Sequence, residues 1–97
     1  MLVAELDGHL VGSLHGYLRP SNAWRTAPIA EIVTLFVESG SRNQRIGEAL
    51  AAEFRSWAAG MGAKRLAVSA FAADERAIRF YQRVGFHPDE LMLEQDV

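Results

Sequence analysis

The sequence predicts an α/β (α+β) fold with a mixed, mostly antiparallel central sheet flanked by helices. Three observations carry that prediction. Two apolar runs, 2–6 and 10–18, flank the dipeptide Asp7-Gly8, and Asp-Gly between such runs signals a hairpin because both residues tolerate positive φ. The run "IAEIVTLFV", 29–37, is apolar on both faces, as in a central strand. Beyond it, two stretches of helical spacing bracket a further strand-like run. At 97 residues, the chain is expected to form a single domain, 1–97.

In the second strand Leu10, Gly12, Leu14, Gly16 and Leu18 share a face, and Val11, Ser13, His15 and Tyr17 share the other. Residues 19–28, "RPSNAWRTAP", hold two prolines, an Asn and a Ser, and read as a loop. Within it Trp24 is expected to fold back as a lid over the core, the alternative being a grip on a substrate. The strand 29–37 is expected to be covered on two sides, with Glu31 its one intruder. Ile46, Leu50, Phe54, Trp57 and Met61 recur at helical spacing, and Gly60 and Gly62 offer a stop. "KRLAVSAFA", 64–72, reads as a strand. Asp74 can cap a helix whose inward residues include Ala77, Ile78, Tyr81 and Val84, ended by Gly85. "ELMLEQ", 90–95, reads as a short closing strand.

About half of the residues are apolar, enough for a packed core, though a small domain has a thin stability margin. With no cysteine, disulfides and thiolate sites are excluded, which suits a cytoplasmic location. A formal net charge of -2 argues against bulk nucleic-acid binding, so any anion site is local. No apolar run approaches the roughly 20 residues that span a membrane, and the N-terminus lacks the pattern of a signal peptide. His9, His15 and His87 are scattered without metal-ligand spacing, so no metal is expected.

The stretch "SRNQRIGEAL", 41–50, places two arginines and a glycine at the mouth of a helix that follows an apolar strand. Such a mouth offers unpaired backbone N–H groups and partial positive charge, which suit a phosphate. Arg42-Asn43-Gln44-Arg45-Ile46-Gly47 resembles the Arg/Gln-x-x-Gly-x-Gly/Ala signature of the GNAT family of acyl-CoA-dependent N-acyltransferases. "DERAIRFYQRVGF", 74–86, is similar to the family's later block, Asn-x-x-Ala-x-x-x-Tyr followed by Gly-Phe.

The resemblance implies an N-acetyltransferase that moves an acetyl group from acetyl-CoA to a primary amine on a small molecule or peptide. It implies that Leu35, Phe36 and Val37 pair through their backbone with the pantetheine arm. Arg42 lies beside the loop Asn43, Gln44, Arg45, Ile46, Gly47 and Glu48, whose N–H groups would hold the diphosphate. Tyr81 matches the tyrosine that returns a proton to the CoA thiolate, and Glu31 stands at the offset of the general-base glutamate of histone-acetylating members. Two positions depart from the pattern. Arg45 replaces the first signature glycine, and an arginine is strained there if positive φ is needed. Asp74 replaces the usual Asn; the resemblance implies a cofactor-binding position there, and the carboxylate in place of an amide reduces it toward a helix cap.

The family's opening strand and two helices have no counterpart, since "LVAELDGHLVG" already matches its second strand. Their absence is expected to leave an open edge and bare apolar surface, and hence a homodimer or another partner as cover. A non-catalytic acyl-CoA-binding module with an incomplete acceptor site is the alternative reading.

An amine acceptor is protonated at neutral pH, since its unperturbed pKa lies near 10, and must lose a proton before it attacks the thioester. A carboxylate such as Glu31 can take it, directly or through water; the structural alternative is an ion pair with an arginine. Tyr81 can protonate the leaving thiolate, or it can be an amphipathic core residue.

Overall fold

The computed structural model describes residues 2–6, 9–20, 23–24 and 26–97, with side chains for all of these except 2–6, 43 and 44. The predicted turn at Asp7-Gly8 lies outside them. Four strands, β1 (Leu2–Leu6), β2 (His9–Arg19), β3 (Ile29–Val37) and β4 (Arg65–Val68), form one sheet in the order β1-β2-β3-β4. The first two pairings are antiparallel and β3 with β4 is parallel. A 3-10 helix (Ser39–Gln44) and helix α1 (Ile46–Gly60) make the crossover, and α2 (Glu75–Arg83) follows β4.

The core lies between one sheet face and α1. Leu14, Ala30 and Ile32 from the strands meet Leu50, Phe54 and Ala58 from the helix. A spacing of four keeps these helix residues on one stripe. Trp57 and Met61, expected on that stripe, are exposed, and Ala51 and Ala58 are buried instead. Gly16 is required where β2 passes under Phe54. A Cβ there would lie 2.7 Å from the Glu31 carbonyl oxygen and would collide with the Phe54 ring.

Several sequence expectations need correction. Leu10 is 60% exposed while Val11 is buried, because Ala4 pairs with Gly12 and Glu5 with Leu10, which leaves Val11 as an extra residue in the ladder. Arg19 belongs to β2 rather than to the loop. Trp24 is 93% exposed and covers no core. From Val33 on the second face of β3 is not covered, with Val33 and Phe36 both more than half exposed, whereas Ile29 at the start of the strand is buried.

The strand expected over 64–72 is only four residues long, because β3 and β4 part company after the pair Ile32 with Val68. The closing strand at 90–95 does not form. Leu91, Met92 and Leu93 are exposed, and the chain there has left the sheet after Asp89 pairs with Arg65 at 3.7 Å. The radius of gyration, 14.7 Å, exceeds the roughly 12.5 Å of a compact chain of this length, consistent with that unpacked segment.

Candidate functional site

Three backbone features converge at the C-terminal end of β3. The first is a bulge. His15 pairs with Thr34 but Gly16 pairs with Ile32, so Val33 is an extra residue on β3. Beyond it β3 stays bonded to β2 on one side, while no β4 residue pairs with 33–37 on the other. Leu35, Phe36 and Val37 thus have an open backbone edge among the described residues. Backbone groups need partners when buried, so such an edge can bond an extended amide-bearing ligand.

The second feature is the turn into α1. The 3-10 helix carries Arg42, Asn43 and Gln44 up to Arg45, which has φ 57° and ψ 27°. This left-handed conformation is the condition under which an arginine is strained. It swings the chain so that α1 starts at Ile46 with no side-chain cap. The first intrahelical bond runs from the Ala49 N–H to the Arg45 carbonyl, 3.1 Å. The N–H groups of Ile46, Gly47 and Glu48 therefore precede the helical ladder and point out of its mouth. Arg42 Nε donates to the Val37 carbonyl at 3.2 Å, tying the loop to the strand end.

The third feature is α2, which reaches the mouth from the far side. Arg83 Nε donates to Glu48 Oε1 at 3.2 Å, and its guanidinium lies 5.4 Å from the Phe80 ring centre. A Cβ on Gly47 would sit 3.1 Å from Phe80 Cζ and 3.6 Å from Val37 Cγ2. Gly47 is thus the point where strand, mouth and second helix approach most closely. Phe80 and Arg83 were missed by the sequence reading; their spacing of three on α2 is the signal that puts them on one face.

Asp74 is the N-cap of α2, its Oδ1 accepting from the Ala77 N–H at 3.1 Å. Tyr81 is half-buried, packs on the core cluster and meets Phe80 and Phe86 edge-on at 5.2 and 5.6 Å. Burial, and then the negative charge of Asp74, push its phenol above the ordinary value of 10.0. Neutral Tyr81 holds its proton at physiological pH, as a proton donor must.

Glu31 lies away from this cluster, on the face opposite α1. Its Oε1 is 2.7 Å from Arg19 Nε, with side chains 25% and 43% exposed. The same Nε makes no hydrogen bond of good geometry, so the contact is an ion pair off the donor axis. Glu31 thus has an arginine partner, as its structural alternative expects. His15 is exposed opposite Thr34. Among the described residues no three His, Cys, Asp or Glu side chains cluster as a metal site, and no helix is long and apolar enough to cross a membrane.

Residues 1–86 match the family described as "Acetyltransferase (GNAT) family". The fold is similar to that of the aminoglycoside N-acetyltransferase AAC(6')-Iy in complex with CoA, at 18% identity and TM-score 0.83, over 98% of this chain and 73% of that one. An aminoglycoside acetyltransferase from an uncultured soil metagenomic sample is 27% identical with a TM-score of 0.81, over 98% and 63%. A transcriptional regulator from Bacillus halodurans C-125 is 24% identical with a TM-score of 0.85, over 98% and 63%. The chain thus spans between about three fifths and three quarters of the length of these structures. No curated protein matches the sequence.

Proposed function

Because the chain belongs to the GNAT acetyltransferase family, we propose that it transfers an acetyl group from acetyl-CoA to a primary amine by direct attack. The observation that carries this is the meeting of the open β3 edge with the left-handed entry to α1. Pantetheine amides bond the free edge of Leu35, Phe36 and Val37. The N–H groups along 43–48 hold the diphosphate, with the positive charges of Arg42 and Arg45 beside them.

Deprotonation frees the amine lone pair, and Glu31 accepts that proton directly or through a water, its carboxylate held in place by Arg19. The nitrogen then attacks the thioester carbonyl carbon, and N–H groups of 35–37 stabilise the oxyanion. The C–N bond forms, the C–S bond breaks, and Tyr81 protonates the departing sulfur. Tyr81 recovers the proton that the nitrogen sheds on becoming an amide. The products are an N-acetyl amide, free CoA thiol and one proton.

A second reading, a non-catalytic acyl-CoA-binding module, is favoured by the engagement of Glu31 with Arg19. Calorimetry with CoA, together with thiol release from acetyl-CoA over a panel of amines, separates the two. Heat with turnover supports the transferase, heat without turnover on any amine leaves the module, and no heat removes both. A cytoplasmic location and a homodimer over the bare sheet face belong to the same reading. A monomer by sedimentation at micromolar concentration would remove the dimer.

A further inference from the structure

The other end of the parallel strand pair carries a second recess. It has a volume of about 240 Å³, and its lining includes Trp24, Pro28, Ile29, Lys64 and Arg65, with no acidic residue among them. Ile29 and Arg65 are register partners, on the sheet face opposite α1 that also carries Glu31. The Lys64 N–H bonds to the Pro28 carbonyl at 3.3 Å, which fixes the turn at the recess wall.

Among the described residues, not every cation at this end has an acidic partner. Arg19 is engaged with Glu31, and Arg65 with Asp89 at 3.7 Å. The Lys64 ammonium has no hydrogen bond or ion pair among the described residues. Among the described residues, Lys64 is thus a cation without an acidic partner, and it shares the recess lining with the exposed indole of Trp24. A recess of this kind favours an anionic group next to an apolar or aromatic one, and it repels a polycation.

Its position relative to the reacting centre sets a length. From Ile29 to the backbone of 35–37 is six to eight residues along β3, roughly 20–26 Å at about 3.3 Å per residue. An extended peptide has the same rise.

We propose that this recess selects the acceptor: an extended peptide, acetylated at its N-terminal amine, that places an acidic side chain on Lys64 about six to eight residues downstream. This rests on the transferase reading above, since the thioester position is taken from it. Lys64 and Trp24 are then specificity determinants, remote from the diphosphate mouth.

The test uses the full chain, acetyl-CoA and decapeptides that differ at position seven or eight, Glu against Lys, with a polycationic aminoglycoside as third acceptor. The Glu peptide should exceed the Lys peptide in kcat/KM by about tenfold, from the Coulomb difference near one partly screened charge. Lys64→Glu should reverse that order and leave CoA affinity unchanged. Equal rates for the two peptides, a preference for the Lys peptide or the aminoglycoside, or an unchanged order in Lys64→Glu would overturn the proposal.

Trp24 emission in a Trp57→Phe background gives a readout independent of turnover. The Glu peptide should change it and the Lys peptide should not; no change with either overturns the recess assignment. Failure of CoA to bind in calorimetry would instead sink the transferase reading, while the emission arm still decides whether acidic peptides occupy the recess.

Discussion

Replacing Arg45 by glycine should raise stability and weaken CoA binding at once. The left-handed φ of 57° costs an L-residue about 1–2 kcal/mol. Glycine removes that strain but adds unfolded-state entropy of about 0.4–1 kcal/mol. The net gain is about 0.5–1 kcal/mol, or roughly 3–6 °C in Tm for a domain of this size. The lost guanidinium acts in the other direction. At about 6 Å in water each charge pair is worth about 0.7 kcal/mol, so two phosphate charges give a loss of roughly tenfold in affinity. The deficit should shrink sharply in 1 M salt, where the Debye length is about 3 Å. Arg45→Ala separates the two effects, since it keeps the strain and loses the charge: Tm stays near that of the parent while affinity falls. Circular dichroism melts and calorimetry with CoA at two salt concentrations make the measurement. A Tm for Arg45→Gly at or below the parent refutes the strain. Undiminished low-salt affinity in Arg45→Ala refutes the placement of the phosphates.

Further substitutions test other parts of the fold and the site. Gly16→Ala drives a methyl into the Glu31 carbonyl and the Phe54 ring. Because one neighbour is backbone, it should destabilise by about 2–3 kcal/mol, a drop of 10 °C or more visible in a thermal melt. Tyr81 ionises above 10.0 when folded, so the folded state holds its proton longer than the unfolded state. Stability should therefore fall as pH rises from about 10 through the higher folded value. Ultraviolet titration of a Tyr17→Phe variant should show a single late phenolate, and a midpoint at or below 10.0 would contradict the burial argument. In addition, Tyr81→Phe should lower kcat more than CoA affinity. Glu31→Gln should cut kcat by about 10²-fold or more if the carboxylate is the base. Its exposed ion pair with Arg19 should contribute less than about 1 kcal/mol to stability, so an unchanged kcat in a folded variant removes the assignment.

The legible parts of the fold were those fixed by local pattern. The alternation in β2, the apolar run of β3 and the stripes of α1 and α2 depend on periods of two and 3.6 residues, and each of these elements forms. What was not legible depends on residues far apart in sequence. The length of β4 is set by where β3 stops pairing with it, and the missing closing strand by the lack of a neighbour to receive it. At the site, the helix mouth could be read because the signature is contiguous, and the capping role of Asp74 because its partner is three residues away. The partner of Glu31 could not be read. Arg19 reaches it only because the register shift at Val33 brings Tyr17 opposite Glu31 and Arg19 opposite Ile29. Likewise, the need for glycine at 47 comes from Phe80, thirty-odd residues on.

The bulge at Val33 is where fold and function can be separated experimentally. In an uninterrupted strand alternate residues share a face, so with Ala30 and Ile32 inward, Thr34 and Phe36 would follow them. Instead Leu35 and Val37 pack on the core cluster and Phe36 is 58% exposed. One inserted residue has switched the parity. Deleting Val33, itself exposed, would leave Leu35 and Val37 inward on a regular strand and remove no core contact. The ladder with β4 could then continue past Val68 and close the open edge. Stability should hold or rise in denaturant titration, while CoA binding in calorimetry is lost. A folded deletion variant that binds CoA as tightly as the parent would show that the pantetheine arm does not use that edge.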